Sequence, residues 1–175
     1  MGKAGIIQLL AESKKAHLDW VTRAHALVEG LVPEDDRVPI HGTECKFGLW
    51  YYGQGQVLSH IPAFIKIEAP HLQLHDVYLQ IFKLMKVRDE TIKLSVFDKI
   101  MGKEKTVTLN RQEADHKAHA LFTELKKISK TITTHVDELK STLVDMSDEA
   151  MRSMLQAQGL NIDPSKNVIA LQKTR

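Results

Sequence analysis

Residues 61–86 read IPAFIKIEAPHLQLHDVYLQIFKLMK, and this stretch decides the fold class. Its apolar side chains recur every three or four residues, which is typical of an α-helix with one buried face. Pro70 predicts a kink or an interruption of that helix. One apolar row consists of Leu74, Val77, Ile81 and Leu84, and the row beside it of His71, His75, Tyr78, Phe82 and Met85. Both histidines are therefore expected to face inward or to lie along the edge of the core.

The preceding part of the chain shows two more helical patterns. Residues 5–29 carry apolar side chains at helical spacing, and Gly30 is expected to end that helix. The following stretch, LVPEDDRVPIHG (31–42), holds two prolines and an acidic cluster, so it predicts a surface loop. Thr43 is an N-cap candidate for a short helix, which places Cys45 in its first turn. The positive end of the helix dipole there favours a thiolate.

The rest of the chain predicts one long helix, one hairpin and a tail. From Arg111 to Met146 the apolar spacing indicates a helix with a seam close to a heptad, formed by Leu121, Leu125, Ile128, Ile132, Val136, Leu139 and Leu143. Within residues 88–110, apolar and polar residues alternate as in two β-strands, with MGKEK as the turn between them. This pattern predicts a small β-hairpin. Residues 147–175 predict a short helix ending near Gly159 and then an irregular tail. The expected fold class is all-α.

The composition is that of an ordinary globular chain, with 43% hydrophobic and 26% charged residues among 175. This length suits one helical domain with an appendage. The net charge of +2 and the mixing of lysines with acids leave no sustained basic stripe, so no nucleic-acid partner is expected. No stretch reaches the roughly 20 apolar residues of a membrane span, and the first residues do not read as a signal peptide. The cytoplasm is the expected location.

Four residues stand out as candidate metal ligands. Cys45 is the single cysteine, which excludes an intramolecular disulfide and leaves it as a packed residue, a reactive thiol or a ligand. His71 and His75 stand four apart, so their rings can reach one ion from one helix face. With His17 on the inward row of the first helix, they supply three nitrogens and one sulfur, a set suited to tetrahedral Zn²⁺. Each residue type is more often packed or exposed, so spacing alone leaves both interpretations open.

The residues around these positions form a more specific pattern. It consists of a His with an aromatic residue three positions on, a Cys-x-Phe-Gly-x-Trp motif and a His-x-x-x-His pair. In this chain these are His17 with Trp20, Cys45 with Phe47, Gly48 and Trp50, and His71 with His75. In this order the pattern resembles the chemoreceptor zinc-binding domain, CZB. The resemblance covers residues 5–87 and resumes in the helix from Arg111 to Met146.

The resemblance implies an antiparallel four-helix bundle that forms a homodimer. It also implies a 3-His/1-Cys zinc site that regulates an output module, commonly a chemoreceptor signalling region or a diguanylate cyclase. This chain departs from the pattern, because no cyclase or methyl-accepting region is recognisable and residues 88–110 look like an insertion. The expected organisation is a zinc-binding bundle over residues 1–146 and an appendage over residues 147–175.

The resulting functional prediction is a stand-alone sensory or regulatory module of bacterial chemotaxis or cyclic-di-GMP signalling, which acts through a partner protein. Its input is zinc level or an oxidant, because a ligating Cys45 is also open to oxidation. Four protein ligands leave no coordination position for a substrate, so no enzymatic activity is expected.

Two other function classes fit parts of the sequence. A bundle-type metalloenzyme with paired iron or manganese needs Glu-x-x-His motifs on two helices, and the chain has Glu68 with His71 and Glu113 with His116. A metal-free adaptor would dimerise or dock through the seam of the last long helix. His116 and His119, near Glu113 and Asp115, are also a candidate second metal site. Surface or packing roles are expected for these two and for His25, His41, His60 and His135.

Overall fold

The computed structural model describes residues 3–31, 41–100, 104–157, 162–163 and 168–169, and it is almost wholly helical in these ranges. The elements are α1 (Lys3–Val28), α2 (Lys46–Tyr52), a 3₁₀ helix (Gln54–Leu58), α3 (Pro62–Ile100), α4 (Glu104–Asp145), α5 (Asp148–Ala157), β1 (Ile162–Asp163) and β2 (Val168–Ile169). The predicted all-α bundle is confirmed. The greater part of the expected 31–42 loop, residues 32–40, lies outside the described residues.

Helix α1 begins at Lys3, two residues before the predicted start, and ends as its sequence predicts. Gly30 has a φ of 72°, in the left-handed region that favours glycine. Its N–H donates to the Leu27 carbonyl at 3.1 Å, and the Leu31 N–H donates to the Ala26 carbonyl at 2.8 Å. This pair of hydrogen bonds is the Schellman motif, which satisfies the last carbonyls of a helix. The predicted stop at Gly30 is therefore confirmed.

The long helices α1, α3 and α4 pack side by side. Lys3 Nζ donates to the Val144 carbonyl at 2.9 Å, so the start of α1 lies at the end of α4 and these helices are antiparallel. Arg88 Nη1 on α3 contacts both the Val28 carbonyl and the Asp115 carboxylate, at 3.1 and 3.2 Å. The end of α1 and the start of α4 therefore meet the same part of α3. It follows that α1 and α3 run in the same direction and α4 runs opposite to both.

The core lies along the inner faces of these helices. The seam predicted for α4 is buried inside this chain, with Leu125, Leu139 and Leu143 wholly inaccessible to solvent. Met151 and Leu155 of α5 join the same core. Beyond α5, β1 and β2 pair antiparallel in a stretch that was expected to be irregular. The α4 seam is thus occupied by internal packing, and it is not a free docking surface.

The prediction of a hairpin at residues 88–110 was wrong. Helix α3 continues to Ile100 and α4 starts at Glu104. The alternating apolar residues of this stretch also fit a helix, because Ile92, Val96 and Ile100 are spaced four apart. No Gly or Pro occurs between Pro70 and Gly102 to stop the helix.

Pro70 does not interrupt α3 either, and it lies inside the 39-residue helix. A proline lacks the N–H that would bond to the Lys66 carbonyl, and the packing of the bundle maintains the helix across this gap.

Among the described residues, no helix combines the length and the apolar character that crossing a membrane would require.

Candidate metal centre

Cys45 lies at the start of α2 and caps it. The thiol sulfur accepts the Gly48 N–H at 3.2 Å, and Cys45 has extended backbone angles, as an N-cap residue should. The same sulfur lies 3.4 Å from the Gly42 carbonyl oxygen. The predicted N-cap, Thr43, was therefore two residues too early, because a cysteine sulfur serves here in place of a hydroxyl.

Two glycines bring this cap onto α3. A Cβ on Gly48 would lie 1.8 Å from the Gly42 carbonyl oxygen, so only glycine fits at this position. Gly42 in turn packs on α3, where a Cβ would lie 3.2 Å from a ring carbon of His75 and 3.5 Å from one of His71. The glycine of the Cys-x-Phe-Gly-x-Trp motif thus permits the close approach that sets the sulfur beside the histidine pair.

Three of the four predicted ligands lie together. The Cys45 sulfur is 3.3 Å from Nε2 of His71. One potential ligand atom from each of Cys45, His71 and His75 lies within 4.8 Å of the other two. In a tetrahedral zinc site with bonds of roughly 2.1 Å to nitrogen and 2.3 Å to sulfur, ligand atoms are about 3.4 to 3.6 Å apart. The donor set and its spacing therefore fit zinc after small side-chain adjustments.

The fourth predicted ligand, His17, lines the same cavity but contacts a different partner. It does not belong to the three-residue cluster. Its Nε2 is 2.9 Å from the hydroxyl oxygen of Ser129 on α4. The cavity has a volume of about 310 Å³, and His17 lines it together with Cys45, His71 and His75. All four side chains thus face one space, with His17 on the side towards α4.

Burial keeps His17 and His71 neutral. It lowers the pKa of His71 to about 3, with further contributions from His75 and His17, and the pKa of His17 to about 4, with a contribution from His75. A neutral imidazole is the form that binds a metal.

Cys45 behaves differently from the prediction made for it. Burial raises the pKa of the Cys45 thiol, and the backbone N–H groups of Gly48 and Phe47 oppose this effect only in part. The helix start alone therefore does not produce a thiolate. A metal cation beside the sulfur would supply the missing stabilisation of its negative charge.

Aromatic rings enclose the cluster on two sides. The Phe47 ring meets the His71 ring edge-on, with 4.9 Å between centroids. The Trp20 ring packs at 5.2 Å from the His75 ring and 4.4 Å from the Tyr78 ring. Trp50, the last residue of the Cys-x-Phe-Gly-x-Trp motif, is a core residue that packs against Phe47 and Phe64.

The two Glu-x-x-His motifs of the metalloenzyme hypothesis do not meet. His71 is buried on α3, whereas His116 is exposed on α4 and Glu113 pairs with Lys117 at 2.5 Å. The Arg88–Asp115 contact places the second motif beside residue 88. This position is about 25 Å further along α3 than His71. A shared two-metal site built from these motifs is therefore not formed.

The other histidines do not form a comparable cluster. Within the part of the chain that the structure describes, the Cys45, His71 and His75 group is the only set of three His, Cys, Asp or Glu side chains close enough to hold one ion. His119 lies on the surface, where its Nε2 is 3.4 Å from Glu29 and its Nδ1 contacts the Asp115 carbonyl.

Two residues of the site were missed in the sequence. Gly42 lies at the end of a loop-like stretch, and Ser129 is one hydroxyl residue among several in α4. Their roles depend on contacts with residues 6 and 112 positions away, so no local pattern marks them.

Comparison with protein families agrees with this geometry. The model of the chemoreceptor zinc-binding domain, CZB, matches residues 17–82. This segment is similar to the CZB family. The CZB match begins at His17 and includes Cys45, His71 and His75, although it covers less than half of the chain. Comparison with curated proteins and with solved structures gives no match. The matched segment thus contains the ligand cluster, and the family that it resembles is described as a chemoreceptor zinc-binding domain.

Proposed function

We propose that this chain is a zinc-binding regulatory module of bacterial signalling. It holds one Zn²⁺ with His17, Cys45, His71 and His75 and transmits the state of that site to a partner protein. The observation that carries this proposal is the compact cluster of Cys45, His71 and His75 within the CZB segment. A half-buried sulfur beside two buried imidazoles is a donor set characteristic of structural zinc sites.

Zinc would act here as a crosslink. Cys45 precedes α2, His71 and His75 belong to α3, and His17 belongs to α1. Helix α2 has only seven residues, so contacts with the rest of the bundle rather than its own hydrogen bonds hold it in place. Binding at the four side chains would therefore couple metal occupancy to the order of α1, α2 and α3.

An oxidant is the second proposed input. The cavity reaches Cys45, and the thiol is partly rather than fully buried. A thiolate that attacks hydrogen peroxide takes one oxygen atom to become a sulfenic acid, and hydroxide leaves. The oxidised sulfur no longer offers the thiolate that zinc prefers, so the site would lose affinity.

The proposed partner is a chemotaxis receptor or a diguanylate cyclase signalling protein in the cytoplasm, and the proposed assembly is a homodimer. This partner class follows from the CZB family rather than from any contact on the chain. The zinc site itself does not depend on it.

Metal content tests the central proposal. Protein purified without a histidine tag or added metal should contain about one zinc per chain by elemental mass spectrometry. His75→Ala should lose most of this zinc, because it removes one of four ligands. His116→Ala is the matched control, since His116 is exposed on α4 and should leave the metal content unchanged. Absence of zinc from the wild type after supplementation would refute the proposal.

A further inference from the structure

Ser129 is an unusual residue for its position. It lies in the middle of α4 and is only 5% exposed, between the buried Ile128 and Ile132. Its hydroxyl reaches across to α1, where its oxygen lies 2.9 Å from Nε2 of His17. A buried hydroxyl needs a hydrogen-bond partner, and the cavity-lining imidazole supplies it.

We propose that Ser129 competes with zinc for His17, so that His17 is an exchangeable fourth ligand of an otherwise preformed site. This inference rests on the proposed zinc site. Cys45, His71 and His75 already lie within mutual reach of one ion, whereas His17 lies outside that group. The Nε2 atom that contacts Ser129 either accepts the hydroxyl proton or carries a proton itself. In both cases its lone pair is unavailable to a metal.

The cavity provides the path for the exchange. His17 lines the same cavity as the cluster. In the proposed exchange, rotation of the His17 side chain through this space carries its ring towards the cluster. Leaving Ser129 breaks one hydrogen bond, and zinc ligation replaces it. The position of His17 therefore follows metal occupancy.

This exchange would pass the zinc signal to α4. The His17–Ser129 contact joins α1 to α4, as does the Lys14–Asp137 ion pair at 2.5 Å. When His17 turns to the cluster, α1 becomes linked through the metal to α2 and α3, and it loses its His17–Ser129 hydrogen bond to α4. The Ser129 hydroxyl then needs a new partner inside the bundle, which favours a small shift of α4. Ser129 acts in this scheme as a positioning residue for His17.

Zinc affinity in a double-mutant cycle tests the exchange. Wild type, Ser129→Ala, His17→Ala and the double variant would be titrated with zinc against a chromogenic chelator. Ser129→Ala is expected to bind zinc about two- to tenfold more tightly, the range that the net strength of one hydrogen bond gives. In the His17→Ala background the same change should have no effect. Thr133→Ala is the matched control, because Thr133 lines the cavity but its hydroxyl donates to the Lys130 carbonyl.

Nitrogen NMR of ¹⁵N-histidine protein adds a direct readout. One imidazole signal, assigned by its absence in His17→Ala, should move to a metal-bound shift when one equivalent of zinc is added. Three results would each overturn the exchange while leaving the zinc site intact. They are an unchanged or weaker zinc affinity of Ser129→Ala, an equal gain in zinc affinity from Ser129→Ala in the His17→Ala background, and a His17 signal that does not move when zinc is added. A wild type that binds no zinc would instead refute the proposed function.

Discussion

Cys45 combines two roles in one side chain. Its sulfur accepts the Gly48 N–H and so starts α2, and it also lies 3.3 Å from Nε2 of His71. The first role needs only a hydrogen-bond acceptor, and a hydroxyl oxygen can serve as one. The second role and the proposed response to oxidants need sulfur. Substitutions at this position can therefore separate folding from metal chemistry.

Cys45→Ser is expected to keep the helix cap, weaken zinc binding and abolish release of zinc by hydrogen peroxide. The serine hydroxyl accepts the same N–H, whereas it is a poorer zinc ligand than a thiolate and has no sulfur to oxidise. Release would be followed with a chromogenic zinc chelator. Cys45→Ala is the companion variant, and its metal-free form should lose about 1 kcal/mol of unfolding free energy relative to Cys45→Ser. Peroxide-driven release from Cys45→Ser at the wild-type level would refute the redox input.

Helix α4 is the element whose role changed most between sequence and structure. Its near-heptad seam suggested internal packing, a surface for another chain, or both. The described residues show the first, since Leu125, Leu139 and Leu143 are fully buried against their own bundle. The exposed face of α4 carries charged and hydroxyl side chains, and pairs such as Lys117 with Glu113 lie on it. Helix α4 is thus a core element that also contacts His17.

Leu139→Ala should lower the unfolding free energy of the metal-free protein by about 2–5 kcal/mol, because it leaves a cavity in the packed seam. Val144→Ala on the same helix is the control. Val144 is 52% exposed, so its truncation should cost at most about 0.5 kcal/mol. Urea denaturation followed by circular dichroism measures both. Equal, small effects at the two positions would mean that the seam is not internal.

At the scale of the whole molecule, the buried α4 seam leaves another face for the proposed homodimer. Ile65 and Leu72 stand seven apart on α3 and are 55% and 37% exposed. Residues at this spacing share one helix face. Glu68 lies between Ile65 and Leu72 along α3. Tyr52 of α2 lies beside Glu68 and is 38% exposed. We propose that this face meets its copy in the dimer, because the contact would remove its exposed apolar side chains from water.

Ile65→Glu is expected to convert the dimer to monomer, because it places a charge in the proposed contact. Light scattering coupled to gel filtration would give the mass of each variant at several concentrations. Val144→Glu is the matched control, since Val144 is equally exposed but lies on α4. Zinc content should stay the same in both variants. A dimer that survives Ile65→Glu, or a wild type that is monomeric throughout, would rule out this interface.

Much of the fold was predictable because helices are built from local contacts. The three- and four-residue spacing predicted α1, the part of α3 up to residue 86 and most of α4, and Gly30 predicted the end of α1. The same reasoning failed at residues 88–110, where alternating residues fit a strand and a helix equally well. The absence of any helix-breaking residue was the better guide there. Thr43 failed as a cap because sulfur is not among the common capping atoms.

The amino-acid sequence by itself determined the helical class, the pairing of His71 with His75 on one helix face and the motif around Cys45. These features depend on residues within a turn or two of each other. Only the tertiary structure decided that Gly42 and Gly48 bring Cys45 onto that pair, that His17 contacts Ser129, and that the α4 seam is internal. Each of these depends on where separate segments meet once the chain is packed, and residue spacing along the chain carries no information about such meetings.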